Sequence, residues 1–469
     1  MKRSTSVLLY ILSLIGLAVV MLCVFRAGST PNAFGAAVDK LSAPPASAEK
    51  HLLQVAAESF KHPLAVFILQ LVLIIAVSQV CAFLFKKIGQ PSVMGEIVAG
   101  ILLGPSLMGA MLPQFSAFVF PAASLGNLQI LSQVGLILFM FVIGMELDLN
   151  VLKQGAAKAM LISHFSIVVP FGLGIGLSWY LYEHYAPAHI PFYAFSLFTG
   201  IALSITAFPV LARIIRERGM SNTRLGTIAI TAAAAGDVAA WCILAVIVAI
   251  VKAGSVTSSL YTIAAAGIYV CIMLFGVRPM LRKLAIKSSH NKTMKRSAMA
   301  FIFVVLLLSS YCCEVIGIHA LFGAFLAGTI LPQEWNFRKL LIDKIEDVAL
   351  VLLLPLFFVF TGLRTQIGLL NDPSLWEACM LIILVAVAGK FGGSFFAARI
   401  TGEGMQDSLS IGALMNTRGL VELVVLNIGY DLQIISSSMF TMMVLMALVT
   451  TLMTNPALNL INRIYGNSG

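Results

Sequence analysis

Apolar residues come in long unbroken runs along this chain, and polar residues come in short clusters between them. The runs are helix-sized, unlike the short alternating segments of a membrane β-barrel, so each is read as an α-helix. A helix that crosses the hydrocarbon core of a bilayer needs roughly 20 apolar residues. The first run, residues 6–25, follows Met1-Lys2-Arg3 and is too long for an ordinary signal-peptide core. It predicts an uncleaved signal-anchor helix over residues 1–27, with a cleaved signal as the alternative. Residues 28–62 read as a polar extracytoplasmic linker bearing Ala, Pro and Ser. Thirteen further spans are expected near 63–85, 91–108, 127–146, 159–181, 191–213, 225–251, 260–280, 298–316, 318–331, 346–363, 376–398, 408–429 and 436–454. Residues 63–456 are then one transmembrane domain, and 457–469 a short cytoplasmic tail.

Composition agrees with this pattern. Of 469 residues, 59% are hydrophobic and 11% charged, against roughly 25% charged in soluble domains. The mean hydropathy is +0.98. A soluble enzyme, a secreted disulfide scaffold, a nucleic-acid binder and a disordered chain are all excluded. The 7 cysteines sit in or beside apolar runs without CxxC spacing, and read as buried thiols.

The net charge of +10 reads as topology and not as an acidic partner. With Lys2 and Arg3 in the cytoplasm and sides alternating at each span, most of the 30 Lys and Arg fall on the cytoplasmic side. Only Arg26, Lys40, Lys50, Lys61, Lys252 and Arg364 fall outside, and Lys390 and Arg418 fall within spans. Both termini are therefore expected in the cytoplasm, with the chain in the cell's inner or plasma membrane. The acidic residues sort as cleanly. Asp237 and Glu422 lie mid-span, and Glu96 lies about a turn inside the second span. A charge at the bilayer centre costs about 2.5–3.5 kcal/mol on insertion scales. Asp237, Lys390, Arg418 and Glu422 are the functional candidates on that ground.

The chain also repeats itself. The frame G-x-x-x-A-G-x-x-L occurs at Gly95–Leu103 and again at Gly323–Leu331. The frame L-F-x4-G-x6-(V/L)-L occurs from Leu138 and again from Leu356. The charge-derived topology gives the two copies opposite directions across the membrane. The expected architecture is an inverted repeat of 6+1+6 helices, an arrangement common in secondary transporters. Such proteins bind substrate at interrupted helices in matching positions of the two halves. The fifth span contains Ser204-Ile205-Thr206-Ala207-Phe208-Pro209, and the twelfth Met415-Asn416-Thr417-Arg418-Gly419. Pro209 and Gly419 are read as helix breaks. Asp237 lies on the helix after the first break and Lys390 on the helix before the second.

The strings Thr206–Arg213 (TAFPVLAR), Gly236–Trp241 (GDVAAW) and Asn416–Leu423 (NTRGLVEL), with Phe357-Phe358 and Thr361-Gly362-Leu363-Arg364, resemble the monovalent cation:proton antiporter-2 family over residues 63–456. The resemblance implies an all-α core with two crossed discontinuous helices, a separate dimerisation domain and a homodimer. It implies Na+ or K+ and H+ as transported ions, no other cofactor, and partners limited to these ions and the lipid bilayer. Kef-type relatives carry a cytosolic nucleotide-binding domain; none is expected here, because the chain ends at Gly469. Relatives with electrogenic exchange have two adjacent aspartates, whereas Gly236 precedes Asp237 here.

Each candidate has a plainer reading beside it. Asp237 is the expected ion and proton ligand, against a neutral packing carboxyl. Lys390 is expected to compensate its charge, against a snorkelling lysine. Arg418 and Glu422, spaced i, i+4, are read as a structural ion pair. Ser204, Thr206 and Asn416 are oxygen ligands or caps of the broken segments. Glu96 is structural or lines an approach path, and His164 packs. An intramembrane aspartyl protease is set aside, because Ala234 stands where a GxGD motif needs Gly. The expected function is exchange of a monovalent cation for a proton by alternating access, electroneutral, with both ions competing for Asp237. A cation efflux channel or an organic-anion transporter on the same fold is the alternative.

Overall fold

The computed structural model describes residues 62–146, 156–220, 223–253, 256–289, 296–332 and 335–465. The expected anchor helix over 1–27 and the linker up to residue 61 lie outside the described residues, as does the end of the tail. Among the described residues the regular elements are all helical. In chain order they are α1 (Pro63–Lys87), α2 (Ser92–Leu103), α3 (Pro113–Val119), α4 (Ala122–Glu146), α5 (Ala156–Tyr185), α6 (Phe192–Ser204), α7 (Phe208–Glu217), α8 (Arg224–Ala253) and α9 (Val256–Cys271). Then follow α10 (Arg278–Ser289), α11 (Arg296–Ile316), α12 (Ala320–Thr329), α13 (Trp335–Asp347), α14 (Leu354–Arg364), α15 (Pro373–Ile400), α16 (Met405–Met415), α17 (Leu420–Asp431) and α18 (Ser437–Tyr465). Among the described residues, 11 helices are long and apolar enough to cross a membrane, or up to 12 if the bent pair α16–α17 is one span.

The expected spans differ from the helices in three places. The ninth is trimmed to the 10-residue helix α12, while Gly317 (φ 96°) and His319 (φ 81°) turn the chain at the expected division from the eighth. The seventh continues through α10 to Ser289, which takes Arg282 and Lys283 into a helix. The last does not stop at residue 454. Pro456 lies inside α18, and Leu458 and Ile461 beyond it are buried against the helices around them, so packing carries the helix past one missing hydrogen bond. Cys242 and Cys271 are exposed, while Cys81, Cys313 and Cys379 are buried. An apolar thiol facing lipid needs no burial.

The helices pack as two bundles. In one, α5 packs on α6, α8 and α15, and α18 on α15, α16 and α17. In the other, α2 packs on α1 and α14, and α4 on α12 and α14, with α11 against α12. Helix α9 follows α8 and connects the two.

Glycines set the closest approaches in the second bundle. A Cβ on Gly95 would stand 2.5 Å from the Cys81 backbone, and one on Gly323 would strike the Ser309 backbone. A Cβ on Gly100 would stand 2.5 Å from the Phe358 carbonyl, and Gly362 lies against Gly100 itself. Gly144 and Gly328 meet in the same way. The glycines of the recurring sequence frames are thus the ones where backbones touch.

Candidate ion-binding site

The first break lies between α6 and α7. Residues 205–207 leave helical geometry, with Ile205 (φ −73°, ψ 136°) and Ala207 (φ −85°, ψ 91°) extended. Pro209 was expected to interrupt the helix; instead it sits in the first turn of α7. There its missing N–H and fixed φ suit a helix start. The interruption falls three residues earlier, and Pro209 defines its far edge.

The second break, residues 416–419, lies between α16 and α17 and crosses the first. The amide of Ala207 donates to the Thr417 carbonyl at 3.1 Å. The Thr206 hydroxyl donates to the Met415 carbonyl at 3.3 Å. Gly419 is needed at the crossing, since a Cβ there would lie 2.7 Å from Val210 Cγ2. Helix α18 braces the second break. The Arg418 amide donates to Thr451 Oγ1 at 2.9 Å, and that hydroxyl donates to the Arg418 carbonyl at 2.8 Å.

Helix ends at the break are covered by charges of the right sign. The last carbonyls of a helix carry partial negative charge. On α6 these are Ala202, Leu203 and Ser204. Arg418 donates to Ala202 at 2.9 Å and to Leu203 at 2.6 Å. Lys390 donates to Ser204 and, at 3.0 Å, to the carbonyl of Ser166 on α5. Arg418 also pairs with Glu422 at 2.9 Å, and both are wholly buried. Glu422 lies in the first turn of α17, where the helix end is positive.

Asp237 stands apart from these pairs. It is 2% exposed, and neither carboxylate oxygen has a hydrogen-bond partner. The backbone amide of Phe208, at the start of α7, faces it. Lys390 makes its contacts to Ser166 and Ser204 instead of an ion pair with Asp237. Other buried oxygens lacking partners include Asn416 Oδ1, Glu422 Oε2, Ser166 Oγ on α5 and Ser394 Oγ on α15. The Ser204 hydroxyl is committed to the Gly200 carbonyl at 2.7 Å and the Ile167 carbonyl at 3.1 Å. Buried polar groups are nearly always paired in proteins. A carboxylate with two free oxygens, between two broken helices, is a place that a cation or a proton completes.

The structure separates Glu96 and His164 from this group. Glu96 lies on α2 in the other bundle, a turn from Ser92, which accepts from Arg213 at 2.7 Å. His164, expected to pack, is instead exposed on α5, with its ring edge-on to that of Phe165. Residues that sequence reasoning missed include Thr451, Ser166 and Ser394, whose small polar side chains carry no signal among so many apolar neighbours. It also missed a cavity of about 380 Å³ between the bundles, lined by Lys252, Glu314, His319, Arg364, Asn427 and Asp431 among others. Arg364 pairs there with Asp431 at 2.7 Å and donates to Asn427 at 2.9 Å, tying α14 to α17.

The model of the transmembrane sodium/hydrogen exchanger family matches residues 72–460. The chain is 40% identical to the Na+/H+ antiporter NhaS4 of Synechocystis over 403 residues, covering 86% of this chain and 98% of that protein. It is 41% identical to cation/H+ antiporter 17 of Arabidopsis thaliana and 33% identical to K+/H+ antiporter 1 of Saccharomyces cerevisiae. These matches cover 84% and 85% of this chain, but only 48% and 46% of those longer relatives. A solved structure of the sodium proton antiporter MjNhaP1 from Methanocaldococcus jannaschii shares the fold, with a TM-score of 0.62 at 14% identity, covering 86% of this chain and 97% of that one. The chain belongs to the sodium/hydrogen exchanger family. It is a multi-pass integral membrane protein of a family of secondary transporters, not an enzyme.

Proposed function

We propose that this protein exchanges a monovalent cation, Na+ or K+, for H+ by alternating access, with the two ions competing for Asp237. The observation that carries this reading is the buried Asp237 carboxylate, unpaired on both oxygens beside the crossed helix breaks. A dehydrated cation needs hard oxygen ligands. Ionised Asp237 supplies charge, while Thr206, Asn416 and carbonyls freed at residues 205–207 supply neutral oxygens. A proton on the same carboxylate excludes the cation. If only the loaded carboxylate allows the site to change sides, exchange follows.

The names of the relatives support both Na+ and K+ as cargo. One site carboxylate, with Gly236 beside it, supports one proton per cation and electroneutral exchange. Lys390 balances the carboxylate's charge while no ion is bound, from its position on the α6 carbonyl end. The paired glycine contacts, Gly100 with Gly362 and Gly328 with Gly144, support the inverted 6+1+6 repeat, because each joins one half to the other. The bundle of α5–α8 and α15–α18 is the moving part, and the other bundle is the scaffold of a homodimer. Both termini face the cytoplasm.

Purified protein in vesicles holding a pH-sensitive dye tests the reading. Added Na+ or K+ is expected to drive protons across the membrane. A valinomycin clamp is expected to leave the equilibrium unmoved, since 100 mV contributes about 2.3 kcal/mol per net charge carried. An equilibrium that follows the potential would refute electroneutrality. Cation flux without proton movement would favour a channel.

A further inference from the structure

Gly236 leaves a gap beside Asp237, and the structure identifies what borders it. A Cβ at Gly236 would have one neighbour within 4 Å, the hydroxyl of Ser163 on α5, at 3.3 Å. Ser163 is 4% exposed. The same stretch of α5 reaches the site at two more points. The Ser166 carbonyl accepts from Lys390 and the Ile167 carbonyl accepts from the Ser204 hydroxyl. Ser163, Ser166 and Ile167 are spaced i, i+3 and i+4, which places them on one helix face. That face therefore meets α8, α15 and the broken end of α6 together.

We propose that the Ser163 hydroxyl is a cation ligand of the Asp237 site and sets its preference between Na+ and K+. This rests on the reading of Asp237 given above. A carboxylate offers a bound cation at most two oxygens, and Asp237 has both free. A cation stripped of its water needs more. A serine hydroxyl has two acceptor lone pairs and no charge, so it adds coordination without adding a proton to the stoichiometry. Discrimination between cations follows from the size of the oxygen cage and the number of ligands. Glycine at 236 keeps the hydroxyl within reach of the ion, because any side chain there would press on Ser163.

Ser163→Ala, Ser163→Thr and Gly236→Ala test the proposal, with exchange measured against Na+ and K+ concentration. Ser163→Ala is expected to raise the half-saturating concentration of the preferred cation by roughly five- to tenfold, the effect of losing one neutral polar contact. The Na+/K+ ratio changes with it, while the maximal rate at saturating cation stays. Ser163→Thr, which keeps the hydroxyl, restores the affinity, and Gly236→Ala shifts the ratio by crowding the same gap. Equal weakening for both cations with a lowered melting temperature would mean a packing role and overturn the proposal. Unchanged cation dependence in Ser163→Ala would overturn it as well. If Ser163→Ala fails to fold, an unchanged ratio in Gly236→Ala overturns it. These outcomes leave wild-type exchange intact, whereas absence of cation-driven proton movement in the wild type would refute the reading of Asp237 itself.

Discussion

The amide of Ala207 donates to the carbonyl of Thr417 at 3.1 Å, which joins the two interrupted helices where they cross. This backbone bond draws α7 and α17 into one unit, with their positive N-terminal ends beside Asp237 and Glu422. Beside it, Asp237 and Asn416 Oδ1 keep oxygens without partners.

Thr451 supports the second break from both sides, accepting from the Arg418 amide and donating to its carbonyl. Thr451→Val keeps the shape and removes both bonds. An unsatisfied buried polar group costs about 1–3 kcal/mol. The variant is expected to melt at lower temperature in detergent and to exchange poorly. A Thr451→Ser variant, which keeps the hydroxyl, is expected to recover most of both. Unchanged melting in Thr451→Val would show that the break holds itself.

Arg418 does more than pair with Glu422, since it also covers the Ala202 and Leu203 carbonyls. Breaking a buried ion pair by removing one partner costs about 3–5 kcal/mol. Arg418→Met is therefore expected to be worse than Glu422→Gln, because it also bares the end of α6. Thermal melting of the two variants compares them directly. Equal losses would mean that the pair is all that Arg418 contributes.

Lys390 caps the Ser204 and Ser166 carbonyls. Lys390→Ala is expected to destabilise the protein even when Asp237 is already Asn, because the bared carbonyls remain. A double-mutant cycle measures the part that depends on Asp237. If destabilisation vanishes in the Asp237→Asn background, charge balance is the whole role of Lys390.

How much of this was legible in the sequence follows from what each residue costs. Asp237, Lys390, Arg418 and Glu422 stood out because charge in hydrocarbon is expensive wherever it lies in the fold. The breaks stood out because Asn416-Thr417-Arg418-Gly419 interrupts an apolar run, although Pro209 marked the restart of a helix and not its stop. The partners did not stand out. Lys390 meets Ser166 and Ser204, which lie far from it in sequence, and carbonyl acceptors look alike at every position. The division before α12 was legible at Gly317-Ile318-His319, but the positive φ of Gly317 and His319 that makes it was not. The glycine frames were legible as a repeat, but only the structure gives their contacts.

In the turn between α15 and α16, Glu403 ties in α5 and α8. It accepts from Lys158 at 2.9 Å and Arg224 at 2.8 Å. Burial alone would raise its carboxyl, but these two cations outweigh that and hold it below the ordinary value of 4.5. A depressed carboxylate stabilises the fold above its unfolded value, and that stability fades as pH falls through the lowered folded value. Wild type is therefore expected to melt above Glu403→Gln at neutral pH, by a modest margin because Arg224 is largely and Lys158 partly solvent-facing. The gap is expected to close only at pH below 4.5. A gap that closes near neutrality would contradict this assignment.

In the proposed exchange, proton and cation share Asp237. Asp237→Asn removes the ionisable oxygen and keeps the shape, so the protein is expected to fold and melt like wild type. In dye-loaded vesicles, neither Na+ nor K+ is expected to move protons through the variant at any pH where wild type exchanges. Persistent cation-driven proton movement in Asp237→Asn vesicles would contradict the claim and put the shared site on other residues.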